Sequence, residues 1–101
     1  MNTAVQVTLY LNESDKWRQI LQMLRSENVA GACAIHAVGG FNGRNQVHTS
    51  SLVHAGGDLP VVIIFVDFEE HVKRVLPKLF ELAPHRLIVR ENVVIEQGSL
   101  D

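Results

Sequence analysis

A single cysteine, Cys33, among 101 residues excludes an internal disulfide, and a free thiol fits a reducing compartment. Charge of one sign is also missing. Nine Lys and Arg stand against eleven Asp and Glu, a formal net charge of -2 with no block of like charge. That argues against an electrostatic grip on nucleic acid or on an acidic membrane. No apolar run is long: the longest, residues 59–66, is too short to span a bilayer. The opening stretch MNTAVQVTLYLN lacks a basic start and a small-residue cleavage site, so no signal peptide and a cytoplasmic protein are expected. Internal repeats and low-complexity segments are absent too. What remains is 47% apolar and 20% charged, the balance of a globular chain. Residues 1–101 are expected to form one domain, large enough for a core and small enough to gain from oligomerisation.

The periodicity predicts the elements in order. Val5, Val7, Leu9 and Leu11 alternate with Gln6, Thr8 and Tyr10, the pattern of a strand with one buried face. In the following NESDKW, Ser14 or Asp15 is a candidate helix cap, and Trp17, Ile20, Leu21 and Leu24 form one apolar stripe. A helix over 15–27 follows, stopped by Asn28 and Gly31. Residues 32–38 read as a short strand of small side chains, and 47–55 as a polar return arm. LPVVIIFVD, residues 59–67, is apolar on both faces, as a central strand is. Asp67 and Glu70 resemble a capping box for a second helix, whose stripe is Val72, Val75, Leu76, Leu79 and Leu82. Pro77 lies inside it and predicts a kink near Lys73 to Pro77, and Pro84 ends it. The last strand covers 87–96, with a break expected at Glu91 and Asn92.

This order predicts an α+β, ferredoxin-like βαββαβ fold: an antiparallel sheet with two helices on one face and a long loop between strands 2 and 3. Val5, Val7, Leu9, Val61, Ile63 and Phe65 are more apolar side chains than two short helices are expected to cover. A further few hundred Å² buried against a neighbour, at ~25 cal/mol/Å², predicts a homo-oligomer.

Between the second and third strands lies GGFNGRNQVHTSS, residues 39–51. Gly39, Gly40 and Gly43 spell GGxxG, which matches neither the Lys-bearing phosphate loop nor the dinucleotide fingerprint, and no helix follows to lend its dipole. On pattern alone the segment reads rather as a glycine-tolerant turn. His48 and His54 share a strand face, and a tight hairpin would bring His36 opposite His48, but the spacing is no recognised ligand set. Cys33 has no base or cation placed beside it, Ser50 and Ser51 lack an elbow motif, and Asp67, Glu69 and Glu70 read as helix-start carboxylates.

Residues 28–67 carry a co-linear series of motifs. Val29-Ala30-Gly31 leaves the first helix, Gly40-Phe41-Asn42 ends a strand, His48-Thr49 follows, and Leu59-Pro60 leads into the central strand. Together they resemble the PII nitrogen-regulatory proteins and their relatives. Asn12-Glu13-Ser14-Asp15-Lys16, His48-Thr49-Ser50 and Leu76-Pro77-Lys78-Leu79 are similar to a shorter branch, the domain-of-unknown-function family numbered one-ninety. The resemblance implies a homotrimer with an adenine-nucleotide site in the cleft between subunits. It places Gly31, Ala32, Cys33, Gly39, Gly40, Phe41, Asn42 and Gly43 at that site, with main chain near Ile64, Phe65 and Val66. Glycines let backbone N–H groups approach phosphate. The loop, the family's T-loop, would change shape with the ligand and contact a protein target through His48, Thr49, Ser50, Ser51 and His54.

The chain departs from the PII pattern at three places, one of them the end of the last strand, where Ile95-Glu96-Gln97 stands in place of the basic R-x-R. Where PII proteins carry the phosphate-gripping TGxxGDGK, this chain reads LAPHRL, and HTSSLVHAG holds no tyrosine for uridylylation. AMP or ADP is therefore a more compatible effector than ATP, with Arg44, Arg86 and Arg90 as candidate phosphate contacts. The expected function is that of a non-enzymatic regulatory protein acting on a protein target such as a membrane transporter. Its rivals are a divalent-metal-binding trimer of the copper-tolerance type using His36, His48 or His54, a small ferredoxin-like enzyme, and a structural oligomer without ligand.

Overall fold

The structure is a computed structural model that describes residues 3–43 and 58–101. The elements run β1 (Thr3–Asn12), α1 (Trp17–Ser26), β2 (Ala32–His36), β3 (Pro60–Asp67), α2 (Glu69–Leu82) and β4 (Leu87–Val94). The four strands form one sheet in the order β2-β3-β1-β4, with every neighbouring pair antiparallel. This is the ferredoxin-like α+β arrangement that the order of periodicities predicts.

The alternation in β1 does what period two requires. Val5, Val7, Leu9 and Leu11 lie at 1% exposure or less, and the register sets them opposite Asp67, Phe65, Ile63 and Val61 of β3. Trp17, Ile20 and Leu24 of α1 and Val72, Val75 and Leu79 of α2 close over that face. The two helices bury Val5, Val7, Leu9, Val61, Ile63 and Phe65 to 2% exposure or less, so these residues need no neighbouring chain. The apolar surplus sits on the opposite face. There Val62, Ile64 and Val66 are half-buried, while Ile35, Leu87 and Val89 are 51%, 62% and 41% exposed. A central strand that is apolar on both sides fills a core with one side and leaves the other side uncovered.

Several local expectations differ from what tertiary contacts impose. Strand β2 is shorter than 32–38, and β4 runs unbroken through Glu91 and Asn92, which pair with Gln6 and Val5. Helix α2 runs unbroken through Pro77, whose ring is on the exposed side. Neither helix has a side-chain cap: the cap positions are Lys16 and Phe68, because the carboxylates expected there are engaged elsewhere. The segment predicted as a polar return arm, 47–55, lies outside the described residues.

Asp67 shows what replaces capping. Its side chain is buried, and its oxygens accept from Phe68 N (2.7 Å), Ala30 N (3.1 Å) and His71 Nδ1 (2.8 Å). His71 Nε2 in turn meets the carbonyl of Glu27 at 2.6 Å. One carboxylate thus ties the end of β3, the start of α2 and the exit of α1 together. Asn28, in the left-handed conformation at φ 62, turns the chain there. Lys78 closes the same corner. Its hydrogen bond, reinforced by its charge, holds the Glu27 carboxyl below the usual carboxylate range.

Leaving buried donors without an acceptor costs more than losing one surface contact. Asp67→Ala is expected to destabilise the protein by about 3 kcal/mol in urea unfolding, and His71→Ala by about 1–2 kcal/mol. The double variant is expected to lose less than the sum. Additive losses would show that the two side chains do not act as a unit.

Candidate functional site

The split βαβ connection sends the exits of β1 and β2 and the starts of β3 and β4 to one end of the sheet. The pairs Asn12↔Pro60, His36↔Val61 and Tyr10↔Leu87 mark that end. The turn after β1, residues 12–16, gathers the other chains there. Glu13 N donates to Leu59 O (2.8 Å), and its carboxylate meets His36 Nε2 at 2.5 Å. Ser14 donates to Asp58 through both N (3.1 Å) and Oγ (2.9 Å). Both stems of the long β2–β3 connection are therefore held by two adjacent residues.

Asp15 reaches the third neighbour. Its Oδ2 accepts from Asn12 N (2.7 Å) and from Arg86 Nε (2.8 Å), and its Oδ1 accepts from Arg86 Nη2 at 3.3 Å. This is a two-pronged carboxylate–guanidinium pair, roughly one-fifth exposed on each side (21% and 22%). Asn12 lies against it. With its amide nitrogen donating to Leu11 O (3.2 Å), its oxygen accepts from Arg86 Nη2 at 3.2 Å. Arg86 Nη1 has no partner among the described residues.

The glycine segment comes to the same place. Ala37 N donates to Pro60 O (2.9 Å), which starts the chain across the end of β3. Gly40 has φ 132, a backbone conformation that favours glycine, and a Cβ there would meet Pro60 Cγ at an ordinary contact distance of 3.4 Å. Asn42 then donates from Nδ2 to Leu11 O at 2.6 Å, and Gly43 has φ 98. The turn from α2 into β4 places His85 at φ 71, an unusual conformation for a non-glycine residue. Between these segments lies an open cavity of about 250 Å³ lined by Tyr10, Asn42, Gly43, His85, Arg86 and Leu87.

Of the residues singled out in the sequence, Asn42, Gly43 and Arg86 converge on this cavity, with Gly39, Gly40 and Phe41 in the segment leading to it. The others fall elsewhere in a single chain. Gly31 and Ala32 line a second cavity of about 360 Å³ beneath the exit of α1, with Leu21, Leu24 and Arg25. Cys33 is exposed and lies opposite Ile64 on the uncovered face of the sheet, which also carries Val66. The side chain of Phe65 belongs to the core. Arg90 is opposite Val7, with a guanidinium nitrogen 3.7 Å from Glu69, and does not join Arg86. His36 packs edge-on to Trp17, ring centroids 5.1 Å apart, and is taken up by Glu13. Arg44, His48, Thr49, Ser50, Ser51 and His54 lie outside the described residues. Among the described residues no group of three or more His, Cys, Asp or Glu is placed to hold a metal ion.

Tyr10, His85 and Asp15 were not among the site residues expected from the sequence. Tyr10 reads there only as an outward strand position, and Asp15 as a cap. The signal for His85 was its place beside Arg86 in LAPHRL, where PII proteins carry their phosphate loop and these two residues alone could supply positive charge.

Comparison with known proteins agrees with this fold. A UPF0166 protein of Methanocaldococcus jannaschii is 35% identical over 98 residues, covering 90% of each chain. A nitrogen regulatory PII-like protein, CPII from Thiomonas intermedia K12, solved bound to ADP, AMP and bicarbonate, superposes with a TM-score of 0.69 at 18% identity. That match covers 94% of this chain and 90% of the other. CutA1 from Pyrococcus horikoshii superposes with a TM-score of 0.62 at 12% identity, covering 94% and 86%. At such identities the two structures establish the shared fold. Residues 4–95 match the model of DUF190, uncharacterized ACR, and with the identity to the archaeal relative this shows that the chain belongs to that family, on a PII-like fold.

Proposed function

We propose that this chain is a non-enzymatic PII-like regulatory protein that binds an adenine nucleotide, AMP or ADP in preference to ATP, and signals through its long β2–β3 connection to a protein target. The observation that carries the reading is the cavity where Asn42, Gly43, His85 and Arg86 meet beside both stems of that connection. A guanidinium with one edge unpartnered among the described residues and a glycine-bearing turn suit a phosphate, and Tyr10 adds an aromatic residue to the lining. The fold relative from Thiomonas intermedia supports the ligand class, since that protein was solved with ADP and AMP. A nucleotide that binds one arrangement of the 37–59 connection better than another shifts its population toward that arrangement. A membrane transporter as target follows from family analogy alone.

The site residues that lie apart in one chain support the second element of the reading, a homotrimer. Ile35, Leu87 and Val89 with Val62, Ile64 and Val66 make a broad apolar sheet face. Such a surface on a small protein marks an interaction site. Packing copies against one another through it would cover Cys33 and Ile64 and complete the cleft that a single chain leaves open.

Two measurements test the reading. AMP or ADP at 100 times its dissociation constant is expected to stabilise the protein by about 2.7 kcal/mol in a thermal-shift titration, and Arg86→Gln to weaken binding at least tenfold. Absence of any shift with AMP, ADP or ATP would refute nucleotide sensing. In sedimentation the protein is expected to run as a trimer, and Ile64→Glu with Val89→Asp to run as a folded monomer or an aggregate. A wild-type monomer at micromolar concentration would remove the cleft from the reading.

A further inference from the structure

We infer that Asp15 sets how much negative charge the Arg86 cavity accepts, and so determines which phosphorylation state of the nucleotide is preferred. The inference rests on the nucleotide reading above and adds to it a residue and a physical cause.

Arg86 is the only Lys or Arg that lines the cavity among the described residues. Its charge is not free. Asp15 takes Nε and Nη2 at 2.8 and 3.3 Å, and the carboxylate is itself held by Asn12 N at 2.7 Å, so it cannot swing away without giving up a backbone hydrogen bond. The pair therefore brings close to zero net charge to the cavity wall. Among the described residues only Nη1 is left without a partner and able to donate to a ligand. His85 and Asn42 add polar side chains to the lining. These described residues can hydrogen-bond a phosphate oxygen, but they offer little to offset each further negative charge. Arg86 without Asp15 would be a cation facing the ligand, and its attraction would grow with ligand charge.

The size of the effect follows from Coulomb's law. At an effective dielectric constant of about 20, one unit of charge within about 10 Å changes binding roughly tenfold for each added ligand charge. Removing the Asp15 charge should therefore improve ATP more than ADP, and ADP more than AMP. Shortening or loosening the site would weaken all three together. The two explanations separate in the ratio of affinities, which a purely structural role leaves unchanged.

The experiment is calorimetric titration of the full chain and of Asp15→Asn with AMP, ADP and ATP at fixed ionic strength, with Asp15→Glu as the charge-conserving control. The wild-type protein and Asp15→Glu are expected to prefer AMP or ADP. In Asp15→Asn the ATP-to-AMP affinity ratio is expected to rise by about a hundredfold, roughly tenfold for each of the two added charges, and the rise to shrink with added salt. An unchanged ratio in Asp15→Asn, with the wild type still binding a nucleotide, would overturn the role of Asp15 and leave the nucleotide reading standing. A wild-type protein that binds none of the three would overturn both. Should Asp15→Asn fail to fold, Arg86→Gln gives the complementary reading. Its unbalanced Asp15 should depress ATP affinity more than AMP affinity, and equal losses would overturn the inference.

Discussion

Everything at the candidate site depends on one constraint, the antiparallel register of β3 between β1 and β2. Because β3 fills the gap left by the first βαβ unit, β1 and β2 must leave the sheet at the end where β3 and β4 begin. Three connections of very different lengths therefore meet in one small region. The turn at 12–16, the long 37–59 connection and the α2–β4 turn have no sequence proximity, yet they share hydrogen bonds through Glu13, Ser14 and Asp15. The cavity is a product of that convergence rather than of any single loop.

The two ends of the sheet use the same chemistry for different purposes. At one end Asp67 is almost completely enclosed and accepts from two backbone N–H groups and a histidine, which makes it a structural knot. At the other, Asp15 is only partly enclosed and shares an arginine that borders a cavity. A buried carboxylate whose lone pairs are all used is worth most to stability. A carboxylate whose partner keeps one edge open influences what binds there. The difference lies in burial and in the unused donors of the partner, not in residue type.

Legibility from the amino-acid order followed the range of the interactions involved. The strands and helices were readable because Val5, Val7, Leu9 and Leu11, and the stripes from Trp17 and Val72, carry the periods of the structures they form. Capping was misread at both helices for one reason. Ser14, Asp15 and Asp67 have the chemistry of caps, and each found a longer-range partner instead: Asp58, Arg86 and the Ala30–His71 pair. The reading of an uncovered apolar face was right in kind and wrong in side, because periodicity in β3 does not say which of its two apolar faces the helices take. The grouping of site residues was partly legible. Asn42, Gly43 and Arg86 meet, whereas Arg90 lies on the helix-facing side of β4 and Gly31 at the far end of the sheet.

By itself the order of residues determined the kind and succession of elements, the core positions and the family, since these depend on local period and on side-chain type. Tertiary structure alone decided which carboxylate meets which cation, which face of the sheet stays open and which glycines share a cavity with Arg86. Those outcomes depend on the pairing of segments that are far apart in the chain, and pairing is set by the register of β3 and the packing of the helices against it.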